Sequence, residues 1–284
     1  MSRHKLTRSM SRRGRQQAED RRGYIVIGIC AVLMVVVGVS AFTMMRQDII
    51  DPKTGCPKGH QVPIASTVIL VDETDSLSRS ELAFAKTLIM NEYTWLPRGG
   101  QLTVRNIVAD PDQAEDIVVC RMDDGAHELG LVRNARKVKQ DFQRIAGARL
   151  DELFTALRTA APQKYSPILE SITAVFDKPN FVSVKQRRLV VLSDMAQHSP
   201  LFSQYRRHGA GPRADQAGEY RRDMSGTAIR IQYIRRPELA RVQTDAHRQF
   251  WTGYLRGMGA GDVQLGHAIL LGEDPNREVW NDES

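Results

Sequence analysis

The chain has 284 residues, three cysteines and a formal net charge of +7. Residues 1–23 hold eight basic residues against two acidic ones and so account for +6 of that charge. The rest of the chain is close to neutral, which argues against a nucleic-acid-binding domain despite the basic total. Three cysteines are too few for a small fold built on disulfides, and no repeat of 20–50 residues is visible.

Residues 24–45 carry no charged side chain between Tyr24 and Met45. As a helix they would extend roughly 33 Å, enough for the hydrocarbon layer of a bilayer. The basic tail at residues 1–23 predicts that the N-terminus stays in the cytoplasm, next to anionic lipid, and that the rest is exported. We therefore expect a single-pass protein of a bacterial inner membrane with a periplasmic C-terminal domain.

A cleaved signal peptide is the alternative for the same segment. Val39, Ser40 and Ala41 provide small residues near the end of the apolar run, as a cleavage site requires. However, the run is longer than the 7–15 apolar residues that are typical of a signal peptide. The length favours a retained membrane anchor.

Residues 46–63 are rich in proline and glycine and predict a linker before one domain at residues 64–272 and a C-terminal tail at residues 273–284. Cys30 lies in the apolar segment, which leaves Cys56 and Cys120 for the exported part. In an oxidising compartment these two can form a disulfide, and two free buried thiols are the alternative.

Strands and helices are predicted to alternate along the domain. Residues 67–71 form a continuous apolar run of β-forming residues, and Ser78 with Glu81 provides a capping box for a helix that ends at Trp95. Further strands are predicted at residues 102–108, 116–120, 188–193, 228–234 and 263–271, and further helices at residues 137–160 (broken near Gly147), 168–176 and 237–258.

This order of elements predicts an α/β fold of the Rossmann-like, doubly wound type, with a mostly parallel sheet covered by helices on both faces. In such sheets, ligands bind at the carboxyl ends of the strands. Asp72 and Asp194 each follow a predicted central strand, at this edge. Asp72 opens the sequence Asp-Glu-Thr-Asp-Ser, in which a carboxylate and two hydroxyls offer the hard oxygen ligands that suit Mg²⁺, Mn²⁺ or Ca²⁺.

With this motif and this order of elements, residues 64–272 resemble the von Willebrand factor A domain family. The metal-ion-dependent adhesion site of that family uses an Asp-x-Ser-x-Ser loop, a threonine from a later loop and an aspartate after the fourth strand. The resemblance implies a module that binds a protein partner, whose acidic side chain completes the coordination of the ion. Matched by position, the implied metal ligands in this chain are Asp72, Thr74, Ser76, Ser166 and Asp194.

The match departs from the family pattern at three positions. Thr74 replaces a serine but keeps the hydroxyl group, and Ser166 is placed by its position alone. Met195 follows Asp194 where the family usually has glycine, which predicts a different shape for that loop.

Helix capping is the structural alternative for Asp72 and its neighbours, because Asp, Ser and Thr are also ordinary capping residues. Two carboxylates at one sheet edge would repel each other, so either a metal ion or a hydrogen-bond network must compensate. We therefore expect a membrane-anchored protein-binding or scaffold module with a Mg²⁺ site, and a metal-free scaffold of the same fold as the alternative.

An enzyme is the third hypothesis. Haloacid-dehalogenase phosphatases also begin with a strand followed by Asp-x-Asp, where the first aspartate is the nucleophile. Here Thr74 stands at the second aspartate, and no phosphate-binding loop, Gly-x-Ser-x-Gly turn or His-Glu-x-x-His helix is present in the sequence. A binding module is therefore favoured over a phosphohydrolase.

Overall fold

A computed structural model describes residues 12–45, 50–58, 62–74, 77–124, 135–159, 163–205, 211–212 and 217–267. The chain divides into two compact units, Met1–Ile49 and Ile50–Ser284. The predicted C-terminal tail, residues 273–284, and part of the basic tail and linker lie outside the described residues.

The first unit contains helix α1, Arg12–Met45. Its large apolar side chains between Tyr24 and Val39 are exposed. A search of the described residues finds no helix that is long and apolar enough to span a membrane.

The second unit is built on a six-stranded sheet with the strand order β3-β2-β1-β4-β5-β6. Its strands are β1 Ala65–Asp72, β2 Gln101–Ile107, β3 Asp116–Cys120, β4 Gln186–Ser193, β5 Thr227–Tyr233 and β6 Asp262–His267. All neighbours pair in parallel except β2 and β3, which are antiparallel. This is the strand order of a doubly wound α/β fold, with the change of direction between β1 and β4.

The helices are α2 Arg79–Trp95, α3 Ala135–Phe142, α4 Ala148–Thr159, α5 Ile168–Phe176, α6 Pro179–Val182 and α7 Asp245–Gly257. The capping box that the sequence predicts is present, because the Ser78 hydroxyl accepts from the Glu81 amide and the Glu81 carboxylate accepts from the Ser78 amide. The break predicted near Gly147 is a π-helical turn, residues 143–147, between α3 and α4.

Two apolar layers enclose the sheet, as expected for a sheet with helices on both faces. On one face, side chains of β1, β4 and β5 such as Leu70, Val191 and Ile231 pack with α5 and with Trp251 of α7. On the other face, alternate residues of β1, β2 and β4 pack with α2 and α4. Every residue of β1 is buried, which explains its continuous apolar sequence.

One predicted element differs from the structure. The helix predicted over residues 237–258 is a short 3-10 turn, Pro237–Leu239, followed by a separate helix that begins after Thr244. The Thr244 hydroxyl accepts from the amide of His247 and caps α7, a local signal that helical periodicity alone does not detect. Strand β3 runs antiparallel at the sheet edge, because the connection from β2 is too short for a crossover.

A disulfide joins Cys56 to Cys120, with the two Cα atoms 4.8 Å apart. The amide of Cys120 also donates to Thr54 O, so the turn at residues 50–57 is held against the end of β3. Cys120 pairs with Gln101, the first residue of β2. This part of the predicted linker is therefore attached to the domain, at the amino edge of the parallel strands.

Candidate functional site

The carboxylate of Asp72 is the centre of a polar cluster at the carboxyl edge of the sheet. One oxygen, Oδ1, accepts from the Thr74 hydroxyl at 2.7 Å and from the Thr74 amide at 3.2 Å. The other, Oδ2, accepts from the Ser193 hydroxyl at 2.6 Å and from the Ser166 hydroxyl at 3.0 Å. Asp72, Thr74 and Ser166, predicted from the sequence as ligands of one site, thus lie together.

Ser166 reaches Asp72 because two loops are paired at this edge. The amide of Ser166 donates to His198 O, and the amide of His198 donates to Ser166 O, both at 2.8 Å. This short antiparallel bridge joins the segment before α5 to the loop after β4. The sequence position of Ser166 did predict its place, although nothing in the sequence shows the bridge that holds it there.

Ser193, which the sequence analysis did not select, is the fourth member of the cluster. It is the last residue of β4 and is fully buried. Its hydroxyl group donates to Asp72 and also accepts from the Met195 amide at 2.7 Å. A hydroxyl residue directly before Asp194 at a strand end was the signal that could have identified it.

Ser76, predicted as a ligand, lies outside the described residues. Thr74, in the same loop, is buried, and its carbonyl accepts from the Gln163 amide at 2.9 Å. The first part of the loop is thus fixed both by Asp72 and by the segment that carries Ser166.

Asp194 is also buried at this edge, and its described contacts include a positive charge. Its Oδ1 accepts from the amide of Ala196 at 2.8 Å, and its Oδ2 forms an ion pair with Arg236 Nε at 3.3 Å. Arg236 Nη1 lies 3.7 Å from Glu81 Oε1, so the guanidinium stands between two carboxylates. The sequence predicts Asp194 as a metal ligand and gives no indication of Arg236.

Met195 occupies the position where the resemblance implies glycine, and its backbone explains that preference. Its φ of 60° lies in the left-handed region, which costs a residue with a side chain roughly 1–2 kcal/mol. The Met195 side chain is fully buried in the core, which offsets this cost. Methionine here therefore adopts a backbone conformation that glycine adopts more easily.

The buried ring of His247 contacts the same loop through Met195. Its Nε2 lies 3.0 Å from Met195 O and 2.9 Å from Gln204 Oε1, while its Nδ1 lies 2.7 Å from the Tyr233 hydroxyl. Both oxygens near Nε2 can only accept, whereas Trp251 Nε1, 3.1 Å from Nε2, can only donate. Burial lowers the pKa of His247 to about 4, with a smaller opposing effect from the Met195 carbonyl. The ring is thus neutral at ordinary pH.

Glu73 is a buried acidic residue directly beside Asp72. Its Oε2 accepts from the Asn106 side chain at 2.8 Å, whereas its Oε1 is buried and has no hydrogen-bond partner among the described residues. Burial and, to a smaller extent, the neighbouring charge of Asp72 raise the pKa of Glu73 to about 8. Glu73 therefore binds a proton at neutral pH and adds little negative charge to this edge.

The loop between β4 and β5 exposes apolar side chains beside the cluster. Tyr205 is 46% exposed and Leu201 is 53% exposed. The ring of His198 lies between Tyr165 and Tyr205, with ring centroids 5.3 Å and 5.5 Å apart. Because His198 pairs with Ser166, this aromatic group is joined directly to the Asp72 cluster.

The oxygens around Asp72 suit a hard cation in chemical type, but their arrangement does not fit an ion held by two carboxylates. The three hydroxyls donate to Asp72, and Asp194 Oδ2 faces the guanidinium of Arg236. Over the described ranges, no group of three or more His, Cys, Asp or Glu side chains is placed to hold a metal. A cation here would have to displace hydrogen bonds and compete with Arg236.

Comparison with known proteins gives likenesses of structure only. No family model and no curated protein matches the sequence. A crystal structure of the ArnB paralog VWA2 from Sulfolobus acidocaldarius matches with 10% identity and a TM-score of 0.37, over 74% of this chain and 44% of that one. A von Willebrand factor type A structure from Catenulispora acidiphila matches with 14% identity and a TM-score of 0.36, over 69% and 42%. The chain spans less than half the length of either structure.

We expect Asp72→Asn to lower the free energy of unfolding by about 1–3 kcal/mol. The amide nitrogen replaces one carboxylate oxygen and cannot accept hydrogen bonds from the buried hydroxyls. Denaturant unfolding of the full chain in detergent measures this change. Asp141→Asn is the matched control, because Asp141 forms an exposed pair with Arg144, and its loss should change stability by about 0.5 kcal/mol or less. Equal effects of the two substitutions would show that the Asp72 cluster contributes no special stability.

We also expect the domain to lose stability as the pH falls from about 6.5 to about 4, partly through His247. Over this range the unfolded chain binds a proton at position 247 that the folded chain does not, which costs at most about 3 kcal/mol. Above pH 6.5 this contribution is fully present. His247→Gln should therefore flatten the dependence of unfolding free energy on pH, and the same slope in both proteins would contradict the assignment.

Proposed function

We propose that this chain is a membrane-anchored protein-interaction or scaffold module of the von Willebrand factor A type, which docks a protein partner at the carboxyl edge of its sheet. The observation that carries the proposal is the cluster of Asp72, Thr74, Ser166 and Ser193, which joins the ends of β1 and β4 to the loop before α5. Open α/β sheets bind their ligands at this edge, beside the point where the strand order reverses.

The exposed side chains of Tyr205 and Leu201 support a protein as the partner. Tyrosine presents a large, rigid contact area with a polar end, and it is enriched among the residues that dominate binding energy in protein interfaces. Both side chains lie on the loop that is paired with Ser166, so a partner that contacts them would lie beside the buried polar cluster.

The membrane anchor in this proposal is the apolar segment at residues 24–45. Its support comes from the sequence, because no charge interrupts the run and the preceding tail carries a net charge of +6. We place the tail in the cytoplasm of a bacterial cell, where anionic lipid attracts it, and the domain in the periplasm. The Cys56–Cys120 disulfide agrees with an oxidising compartment.

The position of the disulfide also agrees with docking at the opposite edge. Cys56 fixes the entering chain at the amino edge of the sheet, whereas Asp72 and Asp194 lie at the carboxyl edge. The disulfide therefore does not occupy the surface that we assign to the partner.

Two forms of this docking follow from the chemistry of the edge. In the first, Mg²⁺ (or Mn²⁺ or Ca²⁺) binds at Asp72, Thr74, Ser76, Ser166 and Asp194, and an acidic side chain of the partner completes its coordination. In the second, the edge docks its partner without a metal. The ion pair of Asp194 with Arg236 favours the second form, because the charge of Asp194 is already balanced.

A metal-dependent phosphohydrolase is not favoured by this geometry. A carboxylate nucleophile needs an accessible lone pair, but Asp72 is only 5% exposed and accepts four hydrogen bonds. Each of these bonds stabilises the anion and lowers its tendency to attack phosphorus.

Protease added to spheroplasts tests the topology. We expect it to digest the domain at residues 50–284 and to spare residues 1–23, since the positive tail holds the N-terminus inside. A domain that is protected until the inner membrane is permeabilised would contradict the orientation. A mature protein that lacks residues 1–23 would instead support the cleaved signal peptide.

Affinity capture of the full chain from detergent-solubilised membranes, after crosslinking, tests the docking edge. We expect Tyr205→Ala to reduce the captured partner roughly 10–30-fold, the effect of losing about 1.4–2 kcal/mol at an important contact residue. Trp95→Ala is the matched control, because Trp95 is 79% exposed but lies near the first residues of the strands, at the amino edge.

The comparison of the two variants decides between the edges. A partner that is lost with Tyr205→Ala and retained with Trp95→Ala supports the proposal. A partner that is lost only with Trp95→Ala, or with neither substitution, would exclude docking at the carboxyl edge.

A further inference from the structure

Arg236 lies at the carboxyl edge and is predicted neither by the strand pattern nor by the Asp-x-Thr-x-Ser motif. It lies just after β5 and its side chain is 15% exposed, between the carboxylates of Asp194, which is 8% exposed, and Glu81, which is 7% exposed. A guanidinium this far from solvent needs partners of opposite charge, and the described residues include two.

The position of Arg236 is fixed through its backbone as well as its side chain. Its amide donates to Gln243 Oε1 at 2.9 Å. The Nε2 of the same Gln243 donates to Asp194 O at 2.9 Å and to Ile234 O at 2.8 Å. Gln243 thus holds the loop after β4 and the loop after β5 in one arrangement, with the guanidinium facing Asp194.

The partner on the other side, Glu81, is held equally firmly. Its Oε2 accepts from the Ser78 amide at 2.6 Å as part of the capping box of α2, which leaves Oε1 to face Arg236. Helix α2 follows the loop that contains Asp72 and Thr74. The guanidinium therefore connects the chain segments that follow β1, β4 and β5.

We propose that the Arg236 guanidinium takes the role of a bound cation at this edge, balancing Asp194 and Glu81 so that docking needs no divalent metal. This inference rests on the proposed function, because it specifies how the charge at the same docking edge is compensated. A positive charge nearby stabilises two buried carboxylates, and a guanidinium provides a charge that is present at every ordinary pH.

A divalent cation bound to Asp194 would lie next to the positive charge of Arg236. A divalent cation at Asp194 Oδ2 would lie close to Arg236 Nε, which is 3.3 Å from the same oxygen. The repulsion between the two positive groups disfavours binding of the ion as long as Arg236 is present. Removal of the guanidinium should reverse this preference and create a site for the metal.

The test compares melting temperatures of the full chain in detergent, in millimolar Mg²⁺ and in EDTA. The wild-type protein should melt at the same temperature in both. Arg236→Gln should melt roughly 6–12 °C lower in EDTA, because it leaves buried carboxylates unbalanced, and it should recover several degrees in Mg²⁺. Arg235→Gln is the matched control, since the adjacent Arg235 is exposed, and it should behave like the wild type.

Three results would overturn the inference. The first is a higher melting temperature of the wild type in Mg²⁺ that is lost in Asp72→Asn. The second is an Arg236→Gln protein that is destabilised but unaffected by Mg²⁺. The third is binding of Mn²⁺ to the wild-type protein at micromolar concentration, measured by calorimetry. This measurement also applies if Arg236→Gln does not fold. If the wild-type protein does not bind Mn²⁺, the inference is supported.

Failure of this inference can be distinguished from failure of the proposed function. The melting and calorimetric measurements need no partner, whereas the docking edge is tested by capture with Tyr205→Ala. Capture that depends on Tyr205 and is abolished by EDTA would retain the docking edge and reject the role of Arg236.

Discussion

The arrangement of the carboxyl edge depends on one buried carboxylate, that of Asp72. Asp72 ends β1, the central strand that is buried along its whole length, and its two oxygens accept from Thr74, Ser166 and Ser193. These donors come from the loop after β1, the segment before α5 and the end of β4. Because a buried carboxylate is costly unless it is fully hydrogen-bonded, all three segments must meet at this point. The fold thus positions the cluster, and the cluster in turn fixes the ends of the elements around it.

Features of the fold that depend on local sequence could be predicted, and those that depend on distant partners could not. The apolar run around Ile69 and the capping box of Ser78 and Glu81 are local signals, and both elements are present. Ser166 was predicted by its position only, since its pairing with His198 is a contact between separate loops. Arg236 follows an ordinary strand, and nothing in its neighbourhood indicates that Asp194 and Glu81 are its partners.

The loop after β4 shows how a locally unfavourable residue is retained by the structure around it. Met195 has a left-handed backbone that favours glycine, yet its side chain fills the core. Its carbonyl accepts from Trp251 Nε1 at 3.0 Å and lies 3.0 Å from Nε2 of the neutral ring of His247. Buried contacts of this kind outweigh a backbone cost of roughly 1–2 kcal/mol. Substitution of the expected glycine therefore does not by itself indicate a different loop or a lost function.

The carboxyl edge is held by buried side chains that are already in place before any partner arrives. Asp72 accepts four hydrogen bonds, Arg236 lies between two carboxylates, and Gln243 joins the loop after β4 to the loop after β5. Association is weakened when flexible groups must be ordered, so a surface that is rigid in advance keeps more of its contact energy for binding. The exposed ring of Tyr205 packs edge-to-face against His198, which is itself paired with Ser166, and is therefore held next to this network. Within this proposal, the polar network serves mainly to hold the edge in shape, and the apolar side chains above it provide the contact.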